Sequence, residues 1–128
     1  MKGTDTNLIV RFLVKDEENQ ARKVKQLLDE GEILYMNDVV LSELYWVLVH
    51  VYEYPKNDFV IALDALLEMR NIRFFDHGVV SAALSDYIHS NIGFVDCLIH
   101  QINKNRGLDT LTFDQKAGRL ENIQLVIE

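Results

Sequence analysis

Gly93-Phe94-Val95-Asp96-Cys97-Leu98-Ile99-His100 sets a carboxylate, Asp96, just after a glycine and in the first turn of an expected helix. The apolar residues of that helix are Val95, Leu98, Ile99 and Ile102. An acid is favoured there because a helix N-terminus carries partial positive charge. Alone, this makes Asp96 a partner of the helix dipole. Three other acids hold comparable places: Asp5 in Asp5-Thr6-Asn7, Glu43 in Leu41-Ser42-Glu43-Leu44, and Asp114 in Thr112-Phe113-Asp114. Whether the four belong together depends on the strands and helices between them.

Residues 2–4 allow only a short strand, followed by a turn at 5–7 and a short helix over 8–13. Asp16 suits the N-cap of the next helix. Ala21, Val24, Leu27 and Leu28 recur at helical spacing on its inner face, and Gly31 stops it. Residues 33–36 form an apolar run of strand length. Asn37 or Asp38 caps a long helix to about residue 54, with Val40, Leu44, Val47, Leu48 and Val51 as its stripe and Pro55 as its end. Asn57 or Asp58 opens a helix with Val60, Leu63 and Leu67 inward. A strand at 72–75 leads through Asp76 or His77 into a helix that carries Val80, Ala83, Leu84, Tyr87 and Ile88. Asn91-Ile92-Gly93 is a loop, and the Asp96 helix runs from it to near Gly107. A strand at 110–113, a brief helix capped by Asp114 and reaching residue 119, and a strand at 123–127 complete the chain. Strands alternating with helices predict an α/β fold with a mostly parallel sheet covered on both faces.

The chain has 128 residues, enough for one domain with a real core. Its 48% hydrophobic and 26% charged residues suit a globular protein and exclude disorder as the main state. Acids outnumber bases 20 to 13, a net charge of −7. Taken simply, that opposes nucleic-acid binding, which leaves a basic footprint. The inference reverses if the acids surround a divalent cation, because the ion inverts the local sign. Cys97 is the only cysteine, which precludes an internal disulfide and suits a reducing compartment. The N-terminal residues carry no signal-peptide pattern, and the most apolar run, 39–51, is too short to span a bilayer. A cytoplasmic protein without a membrane segment is expected.

In an open parallel sheet, ligands bind beyond the carboxyl ends of the strands. Asp5 follows the first strand and Asp114 the fourth. The Glu43 helix begins just after the second, and by alternation the N-terminus of the Asp96 helix faces the same edge. Four acids from distant segments are thus expected at one rim. Two like charges ~4 Å apart repel by about 4 kcal/mol at an effective dielectric near 20, so such a cluster needs protons or a cation. All-oxygen donors suit Mg²⁺ or Mn²⁺ rather than Zn²⁺. Each acid also has a plain structural reading: Asp5 and Asp114 as helix caps, Asp96 as dipole complement, Glu43 as a glutamate reaching solvent. Glu43 is the hardest to explain this way, since it sits in an apolar stretch where an unpaired buried carboxylate is costly.

Taken in order, Asp5-Thr6-Asn7, Leu41-Ser42-Glu43, Gly93-Phe94-Val95-Asp96 and Leu111-Thr112-Phe113-Asp114 resemble the PIN-domain ribonucleases, and most of all the VapC-type toxins of toxin–antitoxin operons. The likeness runs from residue 4 to about residue 119. It implies an α/β/α sandwich with a short, mostly parallel central sheet flanked by helices, forming one domain over residues 1–128. It also implies an Mg²⁺- or Mn²⁺-dependent endoribonuclease with Asp5, Glu43, Asp96 and Asp114 as its acidic quartet. Asn7 and Thr112 resemble the polar residues that orient such a quartet. The family commonly forms homodimers and is silenced by an antitoxin protein. Two features depart from its pattern: Gly3-Thr4 ahead of the first acid, and Cys97 and His100 in the Asp96 helix.

Other residues point elsewhere. His50, His77, His89 and His100 have no zinc-ligand spacing. His100 reads as a helix-surface histidine one turn after Asp96, and Cys97 as a buried small hydrophobe. Tyr45, Trp46 and Tyr52 read as core or dimer contacts. Two basic groups, one of Arg11, Lys15, Arg22, Lys23 and Lys25 and one of Lys104, Arg106, Lys116 and Arg119, read as solvated helix faces or as RNA-backbone contacts. Competing functions are a phosphatase with Asp5 as nucleophile, which lacks an acid at Asn7, a PIN nuclease that is not a toxin, and a catalytically silent module that only binds RNA or protein.

Overall fold

The computed structural model describes residues 1–126, and the chain divides into two compact units, Met1–His77 and Gly78–Glu128. In the first, β1 (Lys2–Gly3), β2 (Leu34–Met36) and β3 (Ile72–Phe74) pair in that order, and both pairings are parallel. Lys2 lies opposite Leu34, and Leu34 opposite Ile72. Ile72 and Phe74 are buried while Arg73 between them is exposed, the two-residue period of a strand with one covered face. Parallel neighbours need a crossover. Helices α1 (Thr6–Val14) and α2 (Glu18–Asp29) supply the first, and α3 (Asp38–Trp46) and α4 (Lys56–Glu68) the second.

Local chemistry sets the ends of these helices. The amide of Leu8 donates to Asp5 Oδ1 at 3.0 Å, so α1 begins one residue after Asp5, where a turn was expected. Gly31 takes φ of 89° and closes α2 through a bond from its amide to Leu28 O, a conformation that costs glycine least. Asn37 Oδ1 accepts from the Val40 amide at 2.8 Å and caps α3.

Several expectations are corrected here. Asp16 does not cap α2, whose N-cap Glu17 makes no side-chain bond. Asp16 instead accepts from Arg11 Nη1 at 2.8 Å and from the Tyr52 hydroxyl at 3.0 Å. Partial burial pushes its carboxyl up, but the bonds from Tyr52 and Arg11 outweigh that and hold it below the usual range. On α2, Val24 and Leu28 are buried and Leu27 is exposed. The long helix does not continue as an α-helix to residue 54. After Trp46 it widens into a π-helical turn, Val47–Val51, with the Tyr52 amide bonded to Val47 O. The extra residue shifts the helical phase: Leu48 stays buried and Val51 turns out to 56% exposure. In α4 the inner residues are Phe59, Leu63 and Leu66 rather than Val60, Leu63 and Leu67. With Ile9, Met36, Leu41, Leu44 and Leu48 they form the enclosed core of this unit.

In the second unit, α5 (His77–Ile88), whose first residue lies across the unit boundary, buries Val79, Val80, Ala83, Leu84 and Tyr87. Ile88 is exposed, contrary to its expected place on the stripe. α6 (Phe94–Asn105) starts at Gly93 and buries Phe94, Cys97, Leu98 and His100. Phe94 meets Tyr87 edge to face, with centroids 5.8 Å apart, a favourable geometry for two rings. Ile99, expected inward, is 44% exposed. β4 (Thr110–Thr112) and β5 (Ile123–Leu125) pair in parallel, Thr110 opposite Ile123, across a 3-10 turn, Ala117–Arg119. Phe113 falls outside β4 and is exposed. The expected strand end at Ile127 lies outside the described residues.

The fold is therefore α/β, with short parallel ladders and interleaved helices. Among the described residues, no helix is long and apolar enough to cross a membrane.

Candidate functional site

Asp5 and Glu43 belong to the first unit. Asp5 leaves the end of β1 and caps α1 through Oδ1. Glu43 lies in the second turn of α3 and is exposed, the solvent-reaching placement among the two readings of its sequence. The Thr6 hydroxyl donates to Glu43 Oε1 at 3.2 Å. Through Thr6, the residue next to Asp5, two acids 38 positions apart in sequence become neighbours. Thr6 was not singled out in the sequence. Its signal was its place in the first turn of α1, where a hydroxyl can reach a facing helix. Asn7 stands exposed in the same turn.

Asp96 and Asp114 belong to the second unit. Asp96 is exposed in the first turn of α6. Its carboxylate lies back over the helix N-terminus, since a Cβ on Gly93 would stand 3.8 Å from Asp96 Oδ2. Asp114 follows β4. Its amide donates to Thr112 Oγ1 at 3.0 Å, and its own Oδ1 accepts from the Lys116 amide at 3.0 Å. Thr112 thus fixes the backbone that carries Asp114, and Asp114 closes the turn after the strand, where a capped helix was expected.

His100 corrects the sequence reading. It is 9% exposed rather than on the helix surface, and its Nδ1 is buried without a hydrogen-bond partner. Burial holds its pKa below the ordinary histidine value, against the opposing pull of Asp96, Asp86 and Asp114. Those three carboxylates therefore lie close enough to act on the ring. Cys97, three residues before it, is fully buried, as expected.

The four acids match a hard divalent ion in chemistry: exposed carboxylate oxygens with no nitrogen or sulfur donor among them. In the ion pairs found among the described residues, the cations go to Glu32, Asp16, Asp29 and Glu121, not to these four. Among the described residues, no three His, Cys, Asp or Glu side chains are gathered into a metal-holding group. Part of the basic surface is also accounted for internally. Arg11 is bound to Asp16 and Tyr52, Lys25 to Asp29, and Lys104 to Glu121. Trp46, expected in a core or dimer contact, is 57% exposed.

Known proteins share this arrangement of sequence. The chain is 26% identical over 127 residues to the VapC ribonuclease of Aquifex aeolicus (strain VF5), covering 94% of this chain and 92% of that one. A solved structure, VapBC2 from Rickettsia felis bound to a DNA fragment from their promoter, is 20% identical and covers 98% of this chain and 96% of its own, with a TM-score of 0.39. The PIN domain family model matches residues 4–123, a span that includes all four acids. This chain belongs to the PIN-domain family.

Proposed function

We propose that this chain is a divalent-metal-dependent endoribonuclease that hydrolyses RNA phosphodiester bonds, and that it is the toxin of a toxin–antitoxin pair. The observation that carries this reading is the family match over residues 4–123, within which Asp5, Glu43, Asp96 and Asp114 all stand in the order of the acidic quartet. The likeness to a VapC ribonuclease over nearly the whole chain supports the VapC type.

Asp5, Glu43, Asp96 and Asp114 are the residues that would hold Mg²⁺ or Mn²⁺. When bound, the ion supplies positive charge against the phosphodiester and makes water more acidic. The chain's own residues prepare the donors. The Leu8 amide fixes one oxygen of Asp5 and leaves the other open. The Thr6 hydroxyl holds Glu43 by one oxygen, which limits the rotamers of a long exposed side chain. Thr112 Oγ1 holds the Asp114 backbone amide, and the Lys116 amide holds the Asp114 side chain by Oδ1. Thr112 is the candidate for the orienting role beside Asp114, and Thr6 joins Asn7 as a candidate for that role beside the first acid.

The protein works as one nuclease domain over residues 1–128, in the cytoplasm, as a homodimer inhibited by a cognate antitoxin. The deciding experiment is Asp96→Asn: RNA cleavage is lost while circular dichroism and thermal unfolding stay as in the parent. Cleavage at the parental rate overturns the reading.

A further inference from the structure

We infer that a cavity in the second unit, lined by Asp86, His100, Gln101, Lys104, Leu120 and Glu121, is a guanine-binding subsite that selects the RNA base presented for cleavage. This rests on the nuclease reading. The cavity measures about 250 Å³, the liquid volume of roughly eight waters and the scale of one purine ring system.

Its chemistry is more specific than its size. His100 is nine-tenths buried, and its Nδ1 has neither solvent nor partner. A proton on that nitrogen would strand an unpaired donor in the interior, which is costly. We therefore assign the neutral ring with its hydrogen on Nε2, the ring nitrogen left to serve as a donor among the lining residues. Burial also disfavours the doubly protonated ring. Asp86 uses Oδ2 to accept from Gln101 Nε2 at 2.7 Å, which orients the carboxylate and leaves Oδ1 and a second lone pair of Oδ2 as acceptors. Lys104 adds an ammonium, held 3.2 Å from Glu121, and Leu120 adds apolar surface.

Guanine presents two adjacent donors, N1–H and the N2 amino group, beside the acceptors O6 and N7. A carboxylate matches the donor pair, and a lysine or imidazole N–H matches the acceptors. Uracil sets a single N–H between two carbonyls, and cytosine sets acceptors beside its one amino group. Either would turn an acceptor toward Asp86. The site adjoins the proposed chemistry, because His100 follows Asp96 by one helical turn and lies within electrostatic reach of Asp96 and Asp114.

The test uses the full chain dialysed against EDTA and titrated with the 5′-monophosphates of guanosine, adenosine, cytidine and uridine, while the His100 ring resonances are followed by NMR. GMP is expected to bind about tenfold more tightly than CMP or UMP and to move the His100 resonances. Asp86→Asn should abolish the preference. Lys104→Met, at a half-exposed position, should weaken GMP binding if Asp86→Asn disturbs folding. A short RNA with one guanine should displace GMP. Equal binding of all four nucleotides, or a His100 signal that does not move, overturns the subsite. GMP binding that guanine-containing RNA cannot displace overturns its role toward RNA and leaves a free-nucleotide site. Failure of the nuclease reading looks different: GMP binds as described, yet no RNA is cut. RNA cut without guanine preference, and without GMP binding, sinks the subsite alone.

Discussion

In the first unit, Asp5 caps a helix and Glu43 is gripped by a threonine hydroxyl. In the second, Asp96 accepts no protein hydrogen bond among the described residues and stands one turn from a buried neutral histidine. Of the two, only Asp5 also caps its own helix. On the proposed reading, replacing Asp5 mixes chemistry with folding, while replacing Asp96 isolates the chemistry. The same contrast separates the two short loops that carry them: the Asp5 loop is tied down by the acid itself, the Gly93 loop by extended backbone and the buried Phe94 ring.

The largest expected effect tests that contrast directly. Asp96→Asn should lower the RNA cleavage rate at least roughly a thousandfold, since several kcal/mol of charge stabilisation at tenfold per 1.36 kcal/mol is at stake. Its urea midpoint should barely move. Next come the cores. Phe59→Ala in one unit and Phe94→Ala in the other, each removing a fully enclosed ring, should cost about 3–5 kcal/mol apiece. If the chain works as one domain, both variants shift a single unfolding transition seen by fluorescence and by calorimetry. A variant that splits the transition in two would break that proposal. Smaller is the cap: Asp5→Ala should lose about 1 kcal/mol of stability, whereas Asp5→Asn should keep it, because asparagine caps as well as aspartate. Both should lose cleavage, and equal stabilities for the two variants would remove the structural role assigned to Asp5.

The smallest effect concerns pH. The folded His100 pKa lies below the ordinary 6.5 because burial favours the neutral ring. The unfolded chain then binds the proton more readily, so this contribution is complete above pH 6.5 and is lost as pH falls from there toward the folded value. Denaturant midpoints measured from pH 8 to pH 5 should decline, and His100→Leu should flatten that decline.

Much of this is legible in the sequence, for local reasons. Asn37, Gly31 and Gly93 mark helix ends by chemistry that depends on few neighbours, and the strand–helix alternation follows from hydrophobic period. The four acids stood out because each sits next to such a marker. What escaped was whatever depended on a partner distant in sequence. Leu27 and Ile99 carry the right side chain at nearly the right angle, yet one position of helical phase puts them outside. Asp16 has the residue type of a cap, but a guanidinium and a phenol, 5 and 36 residues away, compete for it. His100 follows an exposed acid by one turn and still faces inward, because the helix turns its Phe94–Cys97–Leu98 side to the core. The apolar neighbours of Glu43 in sequence, Leu41 and Leu44, turn to the core while Glu43 itself is exposed.

The widened turn at Val47–Val51 gives the chain one residue more than an α-helix would spend over the same rise. An α-helix advances about 100° per residue. Had the coil stayed regular, Tyr52 would leave it about that far around the axis, and its phenol would miss Asp16. The acid would then be bound by Arg11 alone, and the three-membered polar clasp beside the junction of α1 and α2 would lose one member. Deleting Val49 would restore the regular winding and unfasten that clasp without touching any of the residues that compose it.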